Sequence, residues 1–547
     1  MTAALRLGLS LVLLCSPGGG LTWAIATSNS AIVGGATFVQ LFEWSWPDVA
    51  KECEEWLGPK GFKAVQVSPA VEHREGSQWW TRYQPVTYNI ISRSGNETQF
   101  RDMVERCRSA NVDVYVDVVL NGLAFGAGRG VGGTHYGSPP RTFAMFGPAD
   151  FHHAEGDPTT NCASAESAAD RSNKFRCDLF GQPDLCLSCS LVQQTLVAYL
   201  EKLKDFGVAG FRLSAADFMD PTELRAITSA VEGVSTIAEV FTRGSTLVQP
   251  EEYASGSSEK VIEPRFAVFI QEMLTGKRDL RQVLEVSERN PDFVADAHAV
   301  VFMDNHDTQR RGVMDWGAGI THERDASLYD VANILMLSAE YGYPRVMSSF
   351  AMNGDTDAGP PSSPVHMQGD LDCGYGSPWV CEHRRPSIAN MVRWRAVAAD
   401  ASEHRLITVG YSGLVWCRGA KACIAVNTGS SSWLTHAALD LPPGRYCNVI
   451  QSDDSSICPF VDIAPGSQVV LEVPAKSAVA YHVGATRQSQ HEREGEGVYE
   501  RKGVHHDTTG HGQQADETVS AATGSTVAPA SLLAPLAFAL ALGVLMG

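Results

Sequence analysis

From about residue 32 to residue 400, short β-branched or aliphatic runs alternate with longer amphipathic ones. The run Thr37–Leu41 precedes the amphipathic stretch Trp46–Leu57, Ala64–Val67 comes before Glu97–Ser109, and Asp113–Leu120 is followed later by Leu191–Asp205. Further strand-like runs are Gly207–Leu213, Ser235–Val240 and Ala299–Met303. A short unbroken apolar run reads as a strand buried on both faces, and a 3.6-residue period as a helix. Repeated strand-then-helix units predict a parallel sheet covered by helices. Their number over this length predicts a closed (β/α)8 barrel occupying residues 27–400. The stretch Asn121 to Ser190 breaks the rhythm with Gly, Pro, Ser and four cysteines, and reads as a subdomain (121–190) inserted between the third strand and its helix. After Asp400 the texture changes to short alternating runs, Leu414–Cys417, Cys423–Asn427 and Ser477–His482, separated by Gly, Pro and Ser. That pattern predicts an antiparallel all-β domain over residues 401–484.

Composition changes the picture mainly at the ends. With 547 residues, 44% hydrophobic and 19% charged, the chain has ample material for a large core. Its formal charge of -19 argues against nucleic acid or an anionic membrane surface as a partner. Arg6, the apolar run Leu7–Cys15 and the small-residue pattern Ala24-Ile25-Ala26 predict a signal peptide over residues 1–26. At the other end a polar stretch that cannot fill a core (485–520) predicts a flexible stalk. Small residues around Ser520, a spacer and the apolar tail Leu532–Met546 predict a glycosylphosphatidylinositol (GPI) anchor signal (521–547), with Ser520 as the attachment site. A secreted chain tethered at the cell surface is the expectation.

The thirteen cysteines agree with that route, since losing Cys15 with the signal peptide leaves an even number to pair. Cys373/Cys381, Cys417/Cys423 and Cys447/Cys458 read as local staples and Cys53 is expected to reach Cys107. Cys162, Cys177, Cys186 and Cys189 pair among themselves in an order left open. A redox or zinc role for Cys186-x-x-Cys189 is disfavoured by the absence of a second CxxC and by the oxidising compartment. The sequon Asn96-Glu97-Thr98 marks Asn96 for glycosylation.

In a barrel of this kind chemistry sits at the C-terminal ends of the strands. The third strand ends at Asp117-Val-Val-Leu-Asn121-Gly122, the fourth at Phe211-Arg212-Leu213-Ser214, the fifth at Ile237-Ala238-Glu239-Val240 and the seventh at Asp304-Asn305-His306-Asp307. Retaining glycoside hydrolysis needs a nucleophilic carboxylate and an acid/base carboxyl about 5–5.5 Å apart. Glu239 is placed for the acid, with His306 and Asp307 as polar company.

These strand ends resemble those of the alpha-amylase family (glycoside hydrolase family 13), in its animal-type branch. The resemblance rests on FVQLFEWSWPDVAKECEEWLGPKGFKAVQVSP (Phe38–Pro69), QWWTRYQP (Gln78–Pro85), VDVVLN (Val116–Asn121), GVAGFRL (Gly207–Leu213), IAEV (Ile237–Val240), VVFMDNHDTQR (Val300–Arg310), YGYPRVMSSF (Tyr341–Phe350) and WVCEHRR (Trp379–Arg385). It implies Glu239 as general acid/base, Asp307 as the carboxylate that grips sugar hydroxyls and stabilises the transition state, and His306 and Arg212 as substrate contacts. It implies Trp79, Trp80, Tyr83 and Gln84 as a sugar platform, flat rings covering the C–H faces of glucose. Two cofactors follow from it: chloride held by Arg212, Asn305 and Arg345, and calcium held by Asn121, Asp184, Phe218 and, with a one-residue gap, Arg176.

The chain also departs from the family. Ser214 stands where the nucleophilic aspartate is expected, Gly122 replaces the third-strand histidine, and Asp217-Phe218 replaces a Lys-His pair. A serine hydroxyl without an adjacent base is a poor nucleophile and offers no charge to an oxocarbenium-like transition state. Asp217, three positions on, is about 5 Å or more from the required place by chain geometry. The leading expectation is a catalytically silent or strongly impaired protein that binds an alpha-glucan or related glycan in the cleft. The alternatives are an active alpha-amylase and an adhesion or scaffold receptor with a protein partner.

Overall fold

The computed structural model describes residues 35–153, 162, 170–241, 247–310, 319–367, 370–401, 404–408 and 412–487. The expected signal peptide, anchor signal, Ser520 and the stalk beyond Arg487 lie outside the described residues; residues 485–487, expected to begin the stalk, instead pack on the C-terminal domain, where Ala485 is buried and its carbonyl accepts from Cys447 N at 2.9 Å. Among the described residues no helix is long and apolar enough to cross a membrane.

Eight parallel strands close the barrel: β1 (Phe38–Leu41), β2 (Ala64–Val67), β3 (Asp113–Val118), β4 (Gly210–Leu213), β5 (Ser235–Ala238), β6 (Glu259–Ile262), β7 (Ala299–Val301) and β8 (Tyr343–Ser348). Each pairs with the next, and β8 returns to β1. The predicted barrel is present. β6 and β8 escape an apolar-run reading because β6 opens with Glu259-Lys260 and β8 carries Pro344 and Arg345.

Period-2 alternation sorts the strand residues. Val39, Leu41, Val65, Val67, Val114 and Val116 join the large core under the helices. Phe38, Ala64, Tyr115, Ile237, Val300 and Tyr343 form a separate apolar cluster, fed by six different strands, that fills the barrel interior. Two residues further along the strands the inward positions turn polar, as Gln40, Gln66, Asp117 and Arg212, all buried. The floor of the site is therefore apolar and its ceiling polar.

The covering helices are α1 (Trp46–Glu52), continued by a π-helical turn to Leu57, then α2 (Glu97–Ser109), α3 (Ser190–Asp205), α4 (Pro221–Thr228), α5 (Arg265–Leu274), α6 (Ala326–Ser338) and α7 (Pro386–Ala398). Asn96 caps α2 through its Oδ1, which accepts from Gln99 N at 3.1 Å. The residue is exposed, and the cap leaves its Nδ2 unused. The inserted subdomain after β3 carries the disulfides Cys162–Cys177 and Cys186–Cys189, which resolves the pairing the sequence leaves open. The other four bridges are Cys53–Cys107, Cys373–Cys381, Cys417–Cys423 and Cys447–Cys458.

Beyond α7 an antiparallel sheet is built from β9 (His404–Thr408), β10 (Gly413–Arg418), β11 (Ala422–Asn427) and β16 (Ser477–His482). Two further antiparallel pairs join β12 (Trp433–Ala437) to β15 (Val469–Val473) and β13 (Gly444–Cys447) to β14 (Phe460–Ile463). Helix α7 fastens this domain to the barrel. The indole N–H of fully buried Trp394 is shared between the carbonyls of Cys423 (3.3 Å) and Tyr481 (3.2 Å), and Asn390 Nδ2 donates to Val449 O at 2.9 Å. On the barrel side Arg395 of the same helix donates to the carbonyls of Ala339, Glu340 and Gly342.

Replacing Trp394 by Ala removes a large buried ring and leaves carbonyls at the seam short of a donor. Chemical denaturation is expected to show a loss of about 3–5 kcal/mol. Trp394→Phe, which keeps most of the volume, is expected to cost less than half of that.

Candidate active site

The polar ceiling of the barrel is organised by one guanidinium. Arg212, the third residue of β4, is buried, with Nε 3.5 Å from Asp117 Oδ1 and Nη2 in contact with Glu239 Oε1. Asp117 also accepts from Gln66 Nε2 (2.9 Å) and from the Tyr83 hydroxyl (2.7 Å). Gln66 in turn accepts from Arg345 Nη1 at 3.2 Å, so side chains from β2, β3, β4 and β8 form one connected network. Burial holds the Asp117 carboxyl above the usual carboxylate range even against the pull of Arg212. Burial opposes the charge on Arg212, but Asp117 and Glu239 outweigh it and keep that guanidinium firmly ionised. Arg345, buried beside a second arginine, is pushed down to about 10.

Glu239 follows β5 directly. Its second carboxylate oxygen accepts from the backbone N–H of Ala215 at 2.7 Å. Ala215 adopts the left-handed conformation (φ 50°, ψ 41°), which turns its N–H back toward β5. Ser214, half-buried between Leu213 and Ala215, is held by its own N–H on the Val118 carbonyl at 3.0 Å. The serine thus sits at the mouth of the barrel beside the Arg212–Glu239 pair.

The residues after β7 complete the site. Asn305 Oδ1 accepts from the backbone N–H groups of Asp307 (2.9 Å) and Thr308 (2.8 Å), which fixes the turn that presents His306 and Asp307. His306 lies between the rings of Phe42 (centroids 4.8 Å) and Tyr83 (5.2 Å), with Trp79 edge-on, and its Nδ1 meets Gln40 Nε2 at 3.0 Å. Burial, then Arg212, Arg310 and Arg345, holds it far below the usual histidine range, so the imidazole is neutral. Its Nε2 is 3.3 Å from Asp307 Oδ2. Asp307 is raised to about 7, by burial first and then by the charge of Glu239. Glu239, Asp307, His306, Arg212 and Ser214 are therefore gathered at one end of the barrel.

The aromatic residues divide in two. Residues Trp79–Tyr83 form a 3-10 turn, in which Trp79 is buried, donates to Thr356 O at 2.9 Å and packs against Arg310. Trp80 is half-exposed and reaches Asp357 Oδ1 at 3.2 Å, so Trp80 and Tyr83 are the rings left to face a ligand. Gln84 is buried and its amide oxygen accepts from Arg74 Nη1 and from Phe125 N, each at 3.3 Å.

Three donors around the network have no acceptor, Arg212 Nη1, Arg345 Nε and Asn305 Nδ2, all buried, while Arg212 Nε has only its 3.5 Å ion pair with Asp117. A second cluster lies under the inserted subdomain. Asn121 Nδ2 contacts Asp184 Oδ1 and lies 3.4 Å from the Phe218 carbonyl, while Asn121 Oδ1 has no donor. Burial pushes the Asp184 carboxyl well above its usual range, and His152 Nδ1 stands 2.5 Å from its other oxygen. Arg176 is exposed at the rim, where it lines a cavity of about 350 Å³ with His152, Asp220 and Glu223. Among the described residues, no group of three or more His, Cys, Asp or Glu side chains stands together as a metal site.

Asp217 is buried, its N–H on the Glu239 carbonyl at 3.3 Å and its carboxylate 3.5 Å from Lys174 Nζ. Lys174 also lies 3.9 Å over the Phe218 ring. The sequence reading overlooks Gln40, Gln66, Arg310 and Lys174. The two glutamines carry a visible signal, a polar residue in the middle of an apolar run (FVQL, AVQV), whereas Lys174 lies in the irregular insertion and carries none.

The C-terminal residues 408–484 match the model of the alpha amylase C-terminal all-beta domain. Over 440 residues the chain is 36% identical to an alpha-amylase-related protein of Drosophila pseudoobscura pseudoobscura, covering 76% of this chain and 86% of that protein. An alpha-amylase of Oryzias latipes is 35% identical over 473 residues, covering 79% and 90% of the two chains. Among solved structures, a mutant of alpha-amylase I from Eisenia fetida in complex with maltohexaose superposes with a TM-score of 0.73 at 30% identity, covering 82% of this chain and 98% of that one. By its barrel, its C-terminal domain and the extent of these likenesses, the chain belongs to the alpha-amylase family.

Proposed function

We propose that the protein binds an alpha-glucan, or a closely related glycan, in the cleft at the C-terminal end of the barrel and is catalytically silent or strongly impaired. The observation that carries this reading is at the end of β4. Ser214 supplies only a hydroxyl there, and the flanking donors, the Arg212 guanidinium and the Ala215 N–H, both engage Glu239. Burial and the charges of Arg212, Arg310 and Arg345 make His306 a weak base, which disfavours activation of the serine by that imidazole. Asp217 is no substitute, since its carboxylate turns to Lys174.

Binding does not need the missing group. Ground-state contacts and transition-state contacts are separable, and a site deprived of its nucleophile keeps the former. In this reading Trp80 and Tyr83 cover apolar sugar faces, while His306, Asp307 and Gln84 address hydroxyls. The complex of the Eisenia fetida enzyme with maltohexaose supports the class of ligand. Glu239 and Asp307 keep the acid/base and hydroxyl-gripping places, so the chemistry lost is the covalent step alone.

The three unpartnered donors, Arg212 Nη1, Arg345 Nε and Asn305 Nδ2, suit a buried monovalent anion, and chloride is the one proposed. It would offset the burial and the Arg212 charge that together lower Arg345. The Asn121 Oδ1, Asp184 carboxylate and Phe218 carbonyl form an oxygen set suited to a hard divalent cation, and calcium is the one proposed. It would clamp the inserted subdomain to the end of β3.

Wild-type protein is expected to leave a chromogenic maltooligosaccharide uncleaved, and Ser214→Asp to gain roughly 10⁴-fold or more in rate, the usual effect of a catalytic nucleophile. Glu239→Gln guards against a contaminating amylase. Wild-type cleavage that disappears with Glu239→Gln would overturn the reading in favour of an active enzyme. Chloride, compared with gluconate at equal ionic strength, and calcium, compared with a chelator, are each expected to raise the thermal unfolding midpoint. Arg345→Gln should abolish the first response and Asp184→Asn the second.

Asp307 carries one part of the pH dependence, and Asp304, raised to about 7 by burial and by Glu382, carries another. The folded value of Asp307, about 7, lies above the unfolded value of about 3.9, so its contribution to stability is fully present below pH 3.9 and is lost as the pH rises through 7. Asp307→Asn is expected to lessen the fall of the unfolding midpoint between pH 4 and 7, with the share of Asp304 remaining. It should weaken glycan binding over the same range.

A further inference from the structure

Gly122 is one of the positions at which the chain departs from the family, and its surroundings have been rebuilt. A Cβ placed on Gly122 would lie 3.1 Å from Gln182 Cβ, 3.3 Å from its Oε1 and 3.5 Å from its Cδ. The space into which a side chain at 122 would grow is thus already filled by the amide of Gln182. That amide comes from the inserted subdomain and its backbone is pinned. Gln182 N donates to Leu179 O (3.1 Å), Leu123 N donates to Pro183 O (3.1 Å), Leu185 N donates to Asn121 O (2.9 Å), and Gly122 bridges Asp184. Gly181, at φ +75°, packs against Phe125, whose ring a Cβ there would meet at 2.9 Å. The 179–185 segment therefore runs against 121–123 as a fixed ribbon, with Gln182 directed over Gly122.

One atom of that amide lacks a partner. Gln182 Oε1 is buried and accepts no hydrogen bond. A shielded amide oxygen without a donor is costly to maintain, and a ligand hydroxyl would supply the donor. Like an imidazole, a primary amide is planar and offers both a donor and an acceptor, so it addresses a sugar hydroxyl in either sense.

We propose that Gln182 is a specificity-determining residue of the cleft, whose amide offers a sugar hydroxyl its contact from the space a side chain at position 122 would occupy. The glycine makes room for it, because a Cβ at 122 would press on Gln182 Cβ and a long side chain would compete with the amide for one place. This inference rests on the glycan-binding reading and adds to it a side chain of the inserted subdomain as a ligand contact.

Isothermal titration with maltohexaose separates the two. Because the wild-type protein is silent, the ligand survives the experiment. Wild type is expected to bind, Gln182→Leu to bind about tenfold more weakly at an unchanged melting temperature, and Gly122→His to bind at least tenfold more weakly because the imidazole and Gln182 collide. The double variant Gly122→His/Gln182→Ala is expected to return to within about threefold of wild type, a non-additive outcome that marks two side chains competing for one place. Wild-type affinity in Gln182→Leu would overturn the proposal and leave the glycan reading standing. No maltohexaose binding by wild type would sink the glycan reading and this proposal together. Should Gly122→His fail to fold, Gln182→Leu alone decides, since that side chain lies on a surface ribbon and matches leucine in size.

Discussion

A buried guanidinium can stay in a barrel only while anions surround it, and Arg212 sets this constraint for the whole site. Its Nε faces Asp117 and one of its Nη atoms contacts Glu239. The first carboxylate is held by Gln66 and Tyr83, the second by the Ala215 N–H. Removing either acid would strand the arginine, at a cost of about 3–5 kcal/mol for a broken buried pair. The aspartate expected at 214 would have been a further anion in the same neighbourhood. With serine there, the negative charge near Arg212 comes from Asp117 and Glu239, and the donors left over are the ones that suit chloride.

The same constraint shapes the wall around His306. Arg310 stacks over Phe42, Trp79 and Phe350, a cation sharing three ring faces, and its main-chain partner is the His306 carbonyl. With Arg212 and Arg345 also near, the imidazole cannot accept a proton and serves as a neutral hydrogen-bonding plate between Phe42 and Tyr83. Asp307, at about 7, feels burial and Glu239 more than it feels these cations.

Much of this was legible in the sequence because barrels place chemistry at strand ends. Once Asp117, Arg212, Glu239 and Asn305-His306-Asp307 were seen to follow apolar runs, their convergence followed from closure of the sheet. β6 and β8 were illegible for the same reason, since Lys260 and Arg345 interrupt their apolar character. Trp79 and Trp80 belong to a 3-10 turn, so strand parity could not predict which one faces outward. The disulfide order within the insertion, the Lys174–Asp217 pair and the position of Gln182 depend on how an irregular segment folds over β3. No periodicity encodes that.

The departures from the family are not scattered over the cleft. Ser214, Asp217, Phe218 and Gly122 all lie after β3 and β4, where the inserted subdomain covers the barrel with Lys174 and Gln182. The other arc, built on β1, β2, β7 and β8, carries Trp80, Tyr83, His306, Asp307 and Arg345, residues the family resemblance predicts, with Tyr83 and His306 joined to Gln40 and Asp117. Decay of an unused enzyme would be expected to strike both arcs alike, leaving cavities and orphaned charges. Instead the new acid Asp217 faces a lysine and the new glycine is filled by an amide, so each loss on the altered arc is matched by a neighbour. Such matching fits the proposed reading, in which a ligand is retained and bond cleavage is lost.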